Sequence, residues 1–254
     1  MITIKTPQEI EIMHKAGKLL AQVMNQLKAE VAPGVTTQDL NKLAEELIFK
    51  SGCQPAFKGY QGFPAALCVS VNEQVVHGVP TDKPLQEGDV LSLDLGLFLP
   101  DKSDGFFSDM AITVPVGQVD PEAGRLIRVT KKSLKRAIAR MKAGKNLGDI
   151  GHAVQGFVES QDFGVVRSLC GHGIGRRLHE DPEVLNYGQR HKGPELKVGM
   201  VLAIEPMVTA GKWEVEQGSD GFAYQTTDGS LAAHFEHTVA ITESGPVVLT
   251  DLYQ

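Results

Sequence analysis

Apolar residues recur at helical spacing in four places along the chain, and they do so in pairs. Met13, Ala16, Leu20, Val23, Met24 and Leu27 form the stripe of an amphipathic helix. Thr6 stands before it as an N-cap, Pro7 suits the first helical position, and Glu9 completes a capping box. Pro33-Gly34 is expected to stop this helix. A second stripe, Leu40, Leu43, Ala44, Leu47 and Ile48, follows Thr36 and ends near Gly52. The same pattern returns later. Asp120 and Pro121 open a third helix, and Leu126, Val129, Leu134 and Ala137 stand 110 residues after Ala16, Leu19, Met24 and Leu27. Gly144, Asp149, Ile150 and Phe157-Val158 repeat Gly34, Asp39, Leu40 and Leu47-Ile48.

Strand-like segments follow each helix pair. Residues 85–94, LQEGDVLSLD, match residues 196–205, LKVGMVLAIE, at an offset of 111. Residues 108–113, SDMAIT, match residues 235–240, FEHTVA, at an offset of 127. Three matches in one order predict an α+β chain of two similar halves, about 1–119 and 120–254, packed as one domain.

The repeat draws attention to four carboxylates. Asp94 and Glu205 interrupt apolar runs at matching positions, and Asp109 and Glu236 head the next matched pair of strands. A buried ionised carboxylate costs several kcal/mol unless it is paired or bound to a metal. No Lys or Arg lies in the strands beside them. If the halves pack about a two-fold axis, the four converge, and two divalent cations would balance their charge. Oxygen-rich sites with one imidazole suit manganese, iron(II), cobalt or zinc alike.

The stretch SLCGHGIGRRLHEDP, residues 168–182, matches neither a helix nor a strand pattern. Its glycines are out of step with a dinucleotide loop, and no helix start follows. Gly171 and Gly173 flank His172, giving close backbone approach and access to positive φ, so that one side chain can be aimed into a crowded site. His179 follows after a bend, and His77 sits in VVHGVP. These three are candidates for one ligand and two polar helpers. His14, His152 and His191 read as ordinary structural residues; His234 and His237 flank Glu236 and read the same way, with support of a metal ligand by one of them as the alternative.

Bulk composition narrows the class. The 254 residues are 42% hydrophobic and 22% charged, with a formal net charge of −6. That balance argues against a dedicated nucleic-acid binder. Cys53, Cys68 and Cys170 lack paired spacing and fit reduced thiols. The N-terminus has no signal-peptide core, and no apolar run is long enough to span a membrane. A cytoplasmic, soluble protein is expected.

Together these segments resemble the type I methionine aminopeptidases. The resemblance runs through IKTPQEIEIMHKAGKLL, PGVTTQDLN, SVNEQVVHGVP, GDVLSLDLG, DGFFSD, CGHGIGRRLHEDP, AIEPMV and FEHTV, essentially the whole chain. It implies a pita-bread fold, two pseudo-two-fold-related α+β halves around a central antiparallel sheet. It implies a metal-dependent hydrolase that removes the N-terminal methionine from nascent polypeptides, using a water activated at a dinuclear centre. The implied metal ligands are Asp94, Asp109, His172, Glu205 and Glu236, with Asp109 and Glu236 shared between both ions and Glu205 also the general base. His77 and His179 would contact the substrate's peptide group. Phe57, Tyr60, Phe63, Cys68, Leu178 and Phe222 would line the methionine pocket.

Two departures stand out. Asp94 and Asp109 are further apart than is usual in the family, so GLFLPDKSDGFF reads as a longer hairpin tip. Phe57, Leu178 and Phe222 replace the Cys, Phe and Trp of better-known bacterial members. The alternatives are an Xaa-Pro aminopeptidase or dipeptidase of the same fold, which usually carries a further N-terminal domain, and a peptide-binding protein without catalysis. A monomer is expected. Lys131, Lys132, Lys135, Arg136, Arg140, Lys142 and Lys145 form a basic stretch on the third helix. It reads as a solvated face, with transient ribosome contact as the functional alternative.

Overall fold

The computed structural model describes residues 1–101 and 105–251. The first half contains α1 (Pro7–Ala29), α2 (Thr37–Lys50), β1 (Gln54–Pro55), β2 (Leu67–Val71), β3 (Gln74–Val76), β4 (Val90–Leu99) and β5 (Phe106–Pro115). The second contains α3 (Pro121–Ile138), α4 (Leu147–Glu159), β6 (Gly164–Val165), β7 (Cys170–Gly173), β8 (Glu180–Leu185) and β9 (Val201–Ile204). Its remaining strands are β10 (Met207–Thr209), β11 (Val215–Gln217), β12 (Tyr224–Thr226), β13 (Ala232–His234), β14 (Glu236–Thr242) and β15 (Gly245–Val248).

Local chemistry sets the helix starts as expected. Thr6 and Glu9 cap α1 reciprocally, and Asp120 caps α3 ahead of Pro121. The first helix ends at Ala29 rather than at Pro33-Gly34. Ala32 precedes a proline and is steered out of the helical region, so the chain leaves the helix a turn early. The third helix likewise ends at Ile138. Arg140, Lys142 and Lys145 therefore lie in the turn towards α4, and only four of the seven basic residues share a helix.

The duplication is written in hydrogen bonds. Gly34 N–H donates to the Leu85 carbonyl and Leu85 N–H returns to Val35; Gly144 and Leu196 repeat this with Lys145. The bridges Thr36–Pro84 and Asn146–Glu195 are a second matched pair. A nine-stranded sheet joins the halves in the order β1-β4-β5-β14-β9-β7-β8, with β2 beside β4 and β15 beside β14. Two three-stranded sheets, β13-β10-β6 and β11-β12-β3, flank it.

Strand alternation divides the faces. Leu91, Leu93, Leu95, Leu97, Met110 and Val114 pack with α1 and α2 in one core. Leu202, Ile204, Ala233, Val239 and Ile241 pack with α3 and α4 in another. The alternate positions of β4, β5, β9, β13 and β14 point to the opposite face. Asp94, Asp109, His234 and Glu236 occupy such positions, and Glu205 continues the alternation just past β9.

All ten residues of β4 pair with β5, with Asp94 opposite Ala111 and Asp109 opposite Gly96. Asp109 thus lies inside its strand, not at its head, because the longer hairpin extends the pairing past the carboxylates instead of shifting them. The tip expected at Pro100-Asp101 falls partly on residues 102–104, outside the described residues.

The α1 packing makes a stability test. A Cβ on Gly17 would lie 2.2 Å from the Leu249 carbonyl oxygen, whereas one on Gly156, exposed on α4, would meet nothing within 4 Å. Gly17→Ala should cost about 1–3 kcal/mol through overpacking. Gly156→Ala should add about 0.5–1 kcal/mol by relieving glycine's entropy cost in a helix. Thermal melts check both, at roughly 2–4 °C per kcal/mol for a chain of this size. A Gly17→Ala variant as stable as the parent would contradict this packing.

Candidate metal centre

The carboxylate-bearing face lines a cavity of about 740 Å³. Every residue singled out from the sequence borders it: Phe57, Tyr60, Phe63, Cys68, His77, Asp94, Asp109, His172, Leu178, His179, Glu205, Phe222 and Glu236. The acidic groups form its floor. Asp94, Asp109 and Glu236 are 8%, 3% and 2% exposed, and one ligand atom each of Asp109, His172 and Glu236 lie within 4.8 Å of one another. Asp94 and Glu205 lie outside that tight trio while lining the same cavity.

These carboxyl groups are held in an unusual state. Burial first, then mutual repulsion, pushes Asp94, Glu205 and Glu236 well above the ordinary carboxylate range. Burial raises Asp109 to about 7, against a lowering by the Met110 backbone N–H. Asp94 Oδ1, Asp109 Oδ1 and Glu236 Oε1 are buried with no hydrogen-bond partner. Cys68 sits opposite Asp94 across β2 and β4, and burial followed by the nearby carboxylates keeps its thiol protonated.

His172 reaches this floor from β7. Its Nδ1 lies 2.9 Å from the Gly173 carbonyl. A carbonyl only accepts, so Nδ1 carries the proton and Nε2 presents a lone pair. That lone pair faces Glu205 Oε1 at 3.6 Å. Burial, then neighbouring His179, lowers His172 to about 3, so the ring is neutral. Orphaned carboxylate oxygens around a bare imidazole nitrogen fit divalent cations.

The glycine-rich stretch turns out to be strand at both ends, β7 and β8, with a bulge between Gly171 and Gly173. Glycines carry no side-chain pattern, which is why the strands escaped reading. Neither Gly171 nor Gly173 has positive φ. Close approach alone explains them: Cβ atoms there would lie 2.4 Å from the Ala203 oxygen and 2.2 Å from the Asp181 oxygen.

The connecting turn carries Leu178, buried, and His179, exposed to the cavity. The rings of His172 and His179 meet edge to face with centroids 4.3 Å apart. Tyr60 Oη lies 2.8 Å from His179 Nδ1. The turn is pinned by a buried ion pair, Lys5 Nζ to Glu180 Oε2 at 2.8 Å, with Thr3 donating to the same oxygen. His77 lies across the cavity with φ of 59°, a costly conformation for a non-glycine residue. Its ring packs edge-on to Tyr224, with centroids 6.0 Å apart. Phe63 meets Phe222 edge to face at 5.5 Å, forming the apolar wall.

Sequence reasoning favoured an ordinary structural role for His234. It is 1% exposed, its Nε2 lies 3.6 Å from Glu205 Oε2, and burial, then His77, lowers it to about 3. Its place two residues before Glu236, on the same face by strand alternation, was the available signal. His237, one residue after, instead shares a hydrogen bond with Thr250 at 2.8 Å, away from the floor. His14 and His152 lie on α1 and α4, and His191 is exposed near Asp149.

Comparison with known proteins agrees with this geometry. The profile of metallopeptidase family M24 matches residues 11–243. A methionine aminopeptidase of Clostridium perfringens is 49% identical over 250 residues, 98% of this chain and 99% of that one. The crystal structure of a methionine aminopeptidase from Thermotoga maritima superimposes with a TM-score of 0.94 at 47% identity, covering 99% and 100% of the two chains. A prolidase from Pyrococcus horikoshii shares the fold alone: TM-score 0.77 at 22% identity, with 98% of this chain matched to 63% of that one. No helix among the described residues is long and apolar enough to cross a membrane. The two-halved sheet with its flanking helices is the pita-bread fold, and the chain belongs to metallopeptidase family M24, within it to the methionine aminopeptidases.

Proposed function

We propose that this protein removes methionine from the N-terminus of polypeptides by metal-dependent hydrolysis, as one catalytic unit built from both halves. Asp94, Asp109, His172, Glu205 and Glu236 hold two divalent cations. The observation that carries this reading is a floor of buried carboxylates with orphaned oxygens facing a bare imidazole nitrogen, while Arg177, the arginine on the cavity wall, is exposed rather than buried among them. Divalent cations bound there supply the acidity that makes water nucleophilic near neutral pH and polarise the scissile carbonyl.

The chain's own groups do the rest. Glu205 takes the proton of the attacking water and passes it to the leaving amine. Tyr60 donates to His179 Nδ1, which leaves the Nε2–H of His179 to stabilise the carbonyl oxygen as it gains charge. His77 contacts the peptide group from the opposite wall. Phe57, Tyr60, Phe63, Cys68, Leu178 and Phe222 enclose the unbranched methionine side chain, whose flexible thioether suits an aromatic-lined pocket. The same reading places the enzyme in the cytoplasm as a monomer acting on nascent chains, with the basic stretch around α3 a solvated face and transient ribosome contact its alternative role.

Two measurements test the reading. The protein should hydrolyse Met-Ala-Ser with kcat/KM at least about 100-fold above that for Ala-Pro-Ala, since the pocket discriminates side chains. The reverse order would make it an Xaa-Pro enzyme. Glu205→Gln should still bind peptide while kcat falls by on the order of 10² to 10⁴, the usual contribution of a general base. Near-parental kcat in a metal-loaded variant would remove Glu205 from that role.

A further inference from the structure

The proposed centre leaves one buried imidazole unexplained. His234 ends β13, and its backbone is tied twice to one side chain. Its N–H donates to Thr113 Oγ1 at 2.8 Å, and that hydroxyl donates to the His234 carbonyl at 2.7 Å. Met207 pairs with it across the β10–β13 ladder. The residue is thus firmly placed, yet neither of its ring nitrogens has a hydrogen-bond partner.

What the ring faces is Glu205. His234 Nε2 lies 3.6 Å from Oε2, and His172 Nε2 lies 3.6 Å from Oε1 of the same carboxylate. One glutamate is therefore bracketed by two imidazoles, one on each oxygen. The two rings differ in what they offer. His172 spends its proton on the Gly173 carbonyl and turns a lone pair to the site. His234 makes no such bond, so the single proton of its neutral ring is free to sit on Nε2. A carboxylate that binds a cation can only accept. Bringing 3.6 Å to an ordinary hydrogen-bond length needs a shift of roughly half an ångström.

We propose that His234 is a positioning residue: its Nε2–H donates to Oε2 of Glu205, fixing that carboxylate so that Oε1, alongside His172 Nε2, faces the cation site. The inference rests on the metal-centre reading. A ligating carboxylate with one free oxygen can rotate away or bind through both oxygens, and a fixed donor on the outer oxygen removes those choices. Outer partners of this kind typically change metal affinity 10–100-fold. The proposal also explains why a polar ring occupies a fully buried place where, with nothing to bond, it would be costly.

The test is calorimetric titration of metal-stripped protein with Mn²⁺ alone, with thermal melts of the stripped forms. His234→Leu should weaken Mn²⁺ binding about 10–100-fold. Its stripped form should melt at or above the parent, because leucine buries no unpaired nitrogen. His234→Gln, which keeps an N–H able to reach Oε2, should stay within about threefold of the parent. Parental affinity in His234→Leu, or an equal loss in His234→Gln, would overturn the proposal. Should the leucine variant not fold, nitrogen NMR of the parent loaded with Zn²⁺ decides: protonated Nε2 supports the role, and protonated Nδ1 overturns it. If the parent itself takes up no Mn²⁺, the metal-centre reading fails, and the inference falls with it.

Discussion

Four carboxyl groups share one buried space, and among the described residues the only arginine or lysine on the cavity wall, Arg177, is exposed rather than buried with them. Two unit charges about 4 Å apart repel by about 4 kcal/mol at an effective dielectric constant of about 20. The chain can hold such a cluster only by keeping protons on it or by exchanging them for cations. The raised pKa values of Asp94, Asp109, Glu205 and Glu236 are the first solution, and the lone pair of His172 prepares the second. Most other features of the cavity follow from keeping that cluster in place.

The duplicated frame supplies the rigidity. Each half offers apolar strands whose alternate residues pack against a helix pair, leaving the opposite face for function. That face would be an ordinary core were it not for two acidic residues at matching places in each half. Chain-specific devices then complete the site. Gly171 and Gly173 let β7 press against neighbouring backbone so that His172 arrives at the floor. Lys5 and Glu180 anchor the turn that presents Leu178 and His179. The strained backbone of His77 aims a third imidazole from the other wall.

Much of this was legible in the residues because it is local. Capping residues and helical stripes act within a few turns, so the helix starts and the repeat could be read directly. Asp94 and Glu205 announced themselves by breaking apolar runs. The remainder depends on partners far away in sequence. β7 is a strand because Ala203 and Val184 pair with it, and nothing within CGHG says so. His234 meets Glu205 only through the pairing of β10 with β13 and the break at Pro206. The wall residues Phe57, Leu178 and Phe222 came from resemblance, since apolar side chains give no sign of whether they face a core or a substrate.

The central claim is that the buried cluster is built for two divalent cations. Calorimetric titration of the metal-stripped protein at pH 7, run in buffers of different ionisation enthalpy, tests it most directly. Asp109, raised to about 7, and Asp94, Glu205 and Glu236, raised well above the ordinary carboxylate range, must give up protons when cations bind. The account predicts two ions bound per chain with net proton release. Uptake of no ion, or binding without proton release, would contradict it.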